Sequence, residues 1–372
     1  MPFDPRALIA PPVRGLSPYV PGKPLVELER EYGIRDSIKL ASNENPLGPG
    51  PMALAAIAAA SREVGLYPDG NGFALKQALA RKHGCSMESI TLGNGSNDVL
   101  VMLAEAFLTS QTEAVYSQYA FAVYPIAVQA TGAVARVARA YPDAAAMPLG
   151  HDLNAMAELV NERTRLVFIA NPNNPTGTSV EAGALRQFIA AMPQSTLVVV
   201  DEAYIEYVED AEFPDASRWL GDHPNLVVTR TFSKAYGLAG LRVGYSLSHP
   251  AVADALNRVR QAFNVNTIAL AAACAALDDR EHLSRSVVTN RDGLAQIRAR
   301  LECLKLHYLP SRGNFLLIDC GRPAQPLFEA MLRLGVIVRP VGSYGLPNHL
   351  RITVGTHLQN QRMLAALEQA LA

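Results

Sequence analysis

Cysteine is scarce in this chain of 372 residues: four positions, Cys85, Cys274, Cys303 and Cys320, with no Cys-x-x-Cys pair among them. That spacing supports neither a disulfide framework nor a cysteine-ligated zinc site, and isolated reduced thiols fit a cytoplasmic location. The eight histidines show no His-Glu-x-x-His or comparable ligand spacing, so no protein-held metal is expected. Charge of one sign is also missing. A formal net charge of -1 and the lack of any like-charge block leave nothing to neutralise a nucleic-acid backbone. The longest apolar run, Ala53 to Ala60, is alanine-dominated and far short of the about 20 residues of a spanning helix. Met1 to Pro12 carries acidic Asp4 and prolines where a signal peptide needs a basic start and an unbroken apolar stretch. Neither nucleic acid nor a membrane is expected as a partner.

What the chain does have is ordinary globular composition, 49% hydrophobic and 18% charged, at a length beyond that of a single core. The first 45 residues are rich in Pro and Gly around Tyr19-Val-Pro-Gly-Lys23 and read as an extended arm over a folded body. From about 50 to 250, short β-branched runs alternate with helical patterns, the signature of a mostly parallel sheet covered by helices. Strands are expected at Ser89–Leu92, Ala114–Tyr116, Arg165–Ala170, Thr196–Val200 and Asn225–Thr229. Beyond Pro250 longer helices come first, followed by apolar runs at Asn314–Asp319, Val336–Arg339 and Leu350–Val354. The expected organisation is an arm (1–45), a large α/β/α domain (46–255) and a smaller α+β domain (256–372).

In open α/β sheets ligands bind beyond the carboxyl ends of the strands, and those ends are polar here. Asn171-Pro-Asn-Asn-Pro-Thr-Gly177, Asp201-Glu-Ala-Tyr204 and Arg230-Thr-Phe-Ser-Lys234 follow three successive apolar runs. Singly, each has a plain alternative: a tight turn, a helix N-cap, a solvated surface lysine. Together they bring amide, carboxylate, phenol, hydroxyls and a lysine to one edge. A carboxylate ending a run as apolar as Leu197-Val-Val-Val200 needs a cation or ordered donors. A protonated pyridine nitrogen is a candidate, because a pyridoxal ring withdraws electrons only in that state and a fixed carboxylate raises its basicity. Lys234 then has a task, holding the cofactor as a Schiff base and later carrying a proton at the substrate Cα. For a phosphate there are two partial anchors. Gly93-Asn-Gly-Ser96-Asn97 opens an apolar helix, and Thr231, Ser233 and Arg242 add hydroxyls and a planar cationic fork, although either hydroxyl alone could equally satisfy local backbone.

These segments resemble the pyridoxal-phosphate enzymes of the fold-type-I aminotransferase group, most closely the histidinol-phosphate aminotransferases. The resemblance runs from Ala41-Ser-Asn-Glu-Asn-Pro-Leu-Gly48 and Tyr67-Pro-Asp-Gly70 through the segments above and Phe232-Ser-Lys-Ala-Tyr-Gly-Leu-Ala-Gly-Leu-Arg242 to Leu350-Arg-Ile-Thr-Val-Gly355. It implies Lys234 as the Schiff-base lysine, Asp201 as partner of the pyridine nitrogen, and Asn174 with Tyr204 at the ring hydroxyl oxygen. It implies Tyr119 as the aromatic stacked on the ring, and Ser96, Asn97, Thr231, Ser233 and Arg242 as phosphate contacts. Tyr67 resembles a tyrosine that reaches the phosphate of the neighbouring subunit, which implies a homodimer. Arg351 matches the carboxylate-binding arginine, Asn43 falls in a substrate-side motif, and Tyr19 and Arg339 resemble residues that receive a substrate phosphate. The chain departs from the common pattern at Asn97, where many relatives carry Asp, and at Tyr236, where Phe is frequent.

Two other classes compete. A nicotinamide dehydrogenase would use Gly93-x-Gly95 and acidic Glu113, but Asp98 occupies the third glycine position and Asp201, Tyr204, Lys234 and Arg242 would share no task. A regulator that kept the module would need a DNA-binding segment, for which the start of the chain leaves no room. The resemblance therefore implies amino transfer between L-glutamate/2-oxoglutarate and imidazole acetol phosphate/L-histidinol phosphate. An aromatic amino acid aminotransferase is the alternative on the same scaffold, followed by a threonine-phosphate decarboxylase.

Overall fold

A computed structural model describes residues 4–19 and 21–372; Met1 to Phe3, and Val20 of the expected arm, lie outside the described residues. In chain order the strands are β1 (Ile38–Lys39), β2 (Ile90–Gly93), β3 (Glu113–Ser117), β4 (Val134–Ala138), β5 (Thr164–Ala170), β6 (Leu197–Asp201), β7 (Leu226–Thr231), β8 (Gly244–Ser248), β9 (His307–Tyr308), β10 (Phe315–Asp319), β11 (Val336–Ile337), β12 (Arg339–Pro340) and β13 (His349–Thr353). Seven of them form one sheet in the order β2-β8-β7-β6-β5-β3-β4. Its neighbours from β4 to β7 are parallel, and β8 is antiparallel to both β2 and β7.

The central strands β5, β6 and β7 are buried on both faces, as strands between two helical layers must be, which is why they read as near-continuous Val/Ile/Leu runs. Alternation decides which layer each residue meets. Phe168, Ala170, Val199 and Val227 pack with helices Ser96–Phe107 and Val123–Ala130. Val167, Ile169, Val198, Val200 and Val228 pack with helices Leu153–Glu158 and Ala182–Ala191. Two strands of this sheet escape a reading by apolar runs. The edge strand β4 keeps Val134 and Val137 exposed, and β8 mixes Gly, Tyr and Ser.

A four-stranded antiparallel sheet, β12-β13-β10-β9, packs its apolar side on helices Arg280–Cys303, Ala324–Arg333 and His357–Leu371. The two chain ends meet here, since β1 pairs in parallel with β11. The segment expected to be an extended arm contains a helix, Leu25–Tyr32, closed by Gly33 in the left-handed region at φ 70°. Pro and Gly are absent between Pro24 and Gly33, and within that stretch Leu28 docks on Leu332 and Ile337. Helix Thr267–Asp278 packs with helix Phe73–His83 and with β2 and β8 of the seven-stranded sheet. Among the described residues no helix is long and apolar enough to cross a membrane, and all four cysteines are free.

Candidate active site

The carboxyl ends of β5, β6 and β7 open into a cavity of about 520 Å³, which Arg351 of β13 also lines. In register, Asp201 stands between Ala170 and Thr229. Its carboxylate is almost wholly buried, and both oxygens accept from hydroxyls: Oδ2 from Tyr124 at 2.9 Å and Oδ1 from Thr229 at 3.0 Å. Burial pushes its pKa up, opposed first by these hydrogen bonds, then by the Ala203 backbone and the charge of Lys234. Among the described residues no lysine or arginine forms an ion pair with it. Its neighbour Glu202 differs in just this respect, being paired with Arg230 at 2.7 Å. An uncompensated buried carboxylate facing a cavity is a seat for a cation supplied from outside.

Lys234 lines the same cavity. Its Nζ donates to the Ser42 carbonyl at 3.2 Å and lies 5.6 Å from the centre of the Tyr204 ring. Burial is the main cause of a pKa lowered to about 7; the guanidinium groups of Arg351 and Arg242 add to it, while Glu44 and Asp201 oppose it. Such an amine is half neutral near neutral pH, which suits both a nucleophile and a general base.

The same cavity holds an anion cradle. Helix Ser96–Phe107 begins after Gly95 without a side-chain cap, so its first N–H groups and the helix dipole face the cavity, which Ser96 and Asn97 line. Arg242, itself held at φ 55°, donates to Ser233 Oγ at 3.0 Å and to the Ala239 carbonyl at 3.1 Å. A Cβ on Gly95 would overlap the Arg242 guanidinium, so glycine is what lets that cation lie against the helix start. The Thr231 hydroxyl accepts from the Ser233 N–H at 3.1 Å and completes this end.

Arg351 is buried. It donates to Asn174 Oδ1 at 2.5 Å and to the Ala41 carbonyl at 2.7 Å, and its Nε is buried without a partner among the described residues. With Oδ1 occupied, the Asn174 amide N–H groups are left for the cavity. Tyr204, nearby, accepts from Asn43 Nδ2 at 2.9 Å, and burial holds its phenol up at about 12. Asn43 is locked in turn by Thr353, whose hydroxyl meets both its backbone N–H and its Oδ1.

The residues expected from sequence do not all converge. Tyr119 does not line the cavity. It sits in the turn after β3, where strand alternation no longer sets direction, and packs with Leu149, Leu309, Leu317 and Val341. Phe121, two residues on, forms the aromatic wall instead. Tyr67 lies outside its own chain's cavity, 82% exposed and stacked on Phe263 at 4.7 Å. Tyr19 lines the cavity; Arg339 stands behind it, its guanidinium 5.7 Å from the Tyr19 ring centre. Sequence reasoning passed over Phe121, Tyr124 and Thr229. Thr229 was accessible, because period-two alternation places it on the face of Val227 and Thr231.

The set fits pyridoxal phosphate: a buried carboxylate without a cation at Asp201, a depressed amine at Lys234, an anion cradle at Arg242 and an aromatic wall at Phe121. A family model for aminotransferases of class I and II matches residues 35–367. The chain belongs to that family. Within it, the chain is 56% identical to histidinol-phosphate aminotransferase 2 of Pseudomonas fluorescens, over 98% of each chain. It is 55% identical to the protein of the same name in Methylococcus capsulatus, again over 98% of each. The crystal structure of histidinol-phosphate aminotransferase from Sinorhizobium meliloti in complex with pyridoxal-5'-phosphate superposes with a TM-score of 0.89 at 31% identity, covering 98% of this chain and 97% of that one. Aspartate aminotransferase of Thermus thermophilus, 21% identical with a TM-score of 0.83 over 97% of this chain and 98% of its own, shares the fold. The fold is the fold-type-I arrangement of these aminotransferases, as the sequence led us to expect.

Proposed function

We propose that this chain is a pyridoxal-phosphate-dependent histidinol-phosphate aminotransferase, moving an amino group between L-glutamate and imidazole acetol phosphate in histidine biosynthesis. The observation that carries the chemistry is the coexistence in one cavity of an amine held at about 7 and a buried carboxylate bonded by hydroxyls rather than by a lysine or arginine. The substrate assignment rests on full-length relatives of that name at 55 to 56% identity.

Bound pyridoxal phosphate supplies an electron-withdrawing ring that stabilises negative charge at the substrate Cα. Asp201 holds the positive charge of the ring nitrogen. Arg242, Ser96, Asn97, Thr231, Ser233 and the helix start hold the phosphate, and Asn174 with Tyr204 bonds the ring hydroxyl oxygen. Arg351 receives the substrate carboxylate with its free Nε and a second N–H, a bidentate fit that lysine lacks. Lys234, buried and facing the charges of Arg351 and Arg242, is held toward the neutral amine that would hold the cofactor as a Schiff base and, once released, would accept the proton from the substrate Cα. Tyr19, which lines the cavity, and Arg339, whose guanidinium lies 5.7 Å from the Tyr19 ring centre, are suited to the substrate phosphate.

The assembly is read as a homodimer in which Tyr67 completes the partner's phosphate site. Its high exposure and its place outside its own chain's cavity support this. Four free thiols support a cytoplasmic location. A division into arm, large and small domains remains our reading. The packing of helix Thr267–Asp278 with β2 and β8 supports drawing the last boundary near 279 rather than at 255. Reconstitution with pyridoxal phosphate, borohydride reduction and peptide mapping test the whole: the label is expected on Lys234, with amino transfer from glutamate that is lost in Lys234→Ala. A reduced protein carrying no label at Lys234 would refute it.

A further inference from the structure

We infer that Tyr124 is a positioning residue: its hydroxyl keeps the Asp201 carboxylate in the ionised form that a protonated ring nitrogen requires, and its ring ties that carboxylate to the Phe121 wall. The inference rests on the pyridoxal-phosphate reading above and extends it to a residue behind the cavity.

Tyr124 lies in helix Val123–Ala130 with no exposed surface. Its ring is stacked on Phe168 of β5, centroids 4.8 Å apart at 14°, and meets the edge of Phe121 at 5.9 Å and 87°. Two aromatic neighbours thus fix the direction of the phenol, and its hydroxyl ends on Asp201 Oδ2 at 2.9 Å. Thr229 does the same for Oδ1 at 3.0 Å. The Tyr124 phenol is held well above its usual range by burial and by Asp201 itself, so it keeps its proton and remains the donor.

Ring nitrogen and carboxylate share one proton. Every donor to the carboxylate lowers its proton affinity and leaves the shared proton on nitrogen. Without the Tyr124 hydroxyl the proton moves toward Asp201, giving a neutral pyridine opposite a neutral acid. That pair still hydrogen-bonds, so the cofactor stays bound, but the ring withdraws electrons less strongly. A merely structural tyrosine would have no such effect on the nitrogen.

The test uses holoenzyme reconstituted with pyridoxal phosphate 15N-labelled at the ring nitrogen, whose chemical shift separates the protonated from the unprotonated state. We expect a protonated nitrogen in the wild type and a shift toward the unprotonated signal in Tyr124→Phe. The accompanying fall in kcat should be about tenfold to a hundredfold, the effect of one charge-assisted hydrogen bond, with little change in KM for glutamate. Thr229→Val removes the other hydroxyl without touching the aromatic stack. Its nitrogen signal should move in the same direction, and it carries the test should Tyr124→Phe not accumulate as folded protein. A wild-type nitrogen signal in Tyr124→Phe holoenzyme, or in Thr229→Val if only that variant folds, overturns the inference. A wild-type chain that takes up no pyridoxal phosphate would instead sink the underlying cofactor reading, before any variant is made.

Discussion

In the cofactor-free protein Lys234 should react as a neutral amine at pH values where ordinary lysines are protonated. Burial leads the causes of its lowered pKa, followed by repulsion from Arg351. An amine at about 7 is half neutral at pH 7, whereas one at the ordinary 10.5 is neutral in roughly one molecule in three thousand, an enrichment on the order of a thousandfold. The reactive fraction therefore rises as pH passes through about 7, three units or so before a free lysine responds. The assay is brief exposure of the apoprotein to a limiting acylating reagent across this range, with digestion and quantification of the Lys234 peptide against an N-acetyl-lysine standard. Because the unfolded chain holds this proton up to about 10.5, folding releases it between about 7 and 10.5. The contribution of this group to apoprotein stability therefore rises with pH across that window, and its cost is complete below it. Arg351→Met removes the second cause and should move the labelling midpoint upward. A midpoint near that of free lysine, or a downward move in Arg351→Met, would refute the reasoning.

The geometry sets three further expected outcomes. Phe121→Ala should weaken pyridoxal phosphate binding about tenfold, the scale of one aromatic face contact, while Tyr119→Phe should leave it unchanged; fluorescence titration of the apoprotein checks both. Arg339→Ala should raise KM for histidinol phosphate far more than for glutamate, and equal losses would count against a phosphate role. Glu113, wholly buried between Arg136 and Arg163 and bonded to Asn161, has its pKa lowered to about 2, chiefly by its hydrogen bond from Arg136. Its stabilisation is present above the usual carboxylate range and lost as pH falls toward 2. Glu113→Gln should cost about 1 to 2 kcal/mol in urea unfolding, a value reduced by solvent screening at the two half-exposed arginines.

Much of the site was legible because parallel strands buried on both faces announce themselves as apolar runs, and the residues just past each run sit at the ligand-binding edge. Asp201, Lys234 and the segment Asn171–Gly177 were located that way, while Asn174 within that segment was singled out only by the family resemblance. β4 and β8 were not, since an exposed edge and a Gly-Tyr-Ser mixture carry no such signal. Tyr119 and Phe121 were confused for a related reason. Both lie in the turn after β3, where no period relates spacing to direction, and only the packing of Tyr119 with Leu149 and Val341 assigns the cavity wall to Phe121. Tyr124 was invisible as a functional residue because its task runs through a carboxylate 77 positions away.

The doublet Asp201-Glu202 at the end of β6 has a consequence for how the chain finds its alignment. Successive residues point to opposite layers, so Asp201 meets Tyr124 on one side while Glu202 meets Arg230 and the Ala216 N–H on the other. Sliding β6 by a single position one way would bring Glu202 to the phenol and carry Asp201 back among the apolar side chains of the opposite layer, and the other way would bring Asp201 to the guanidinium and leave the phenol facing Val200. Valines alone would tolerate that slip, as Val198, Val199 and Val200 are interchangeable in shape. The two acids thus act as a keyed end on an otherwise featureless strand. Exchanging them for each other should lower stability in urea unfolding, because each acid would then meet the other's partners at the wrong length, even though composition, charge and hydrophobicity stay the same.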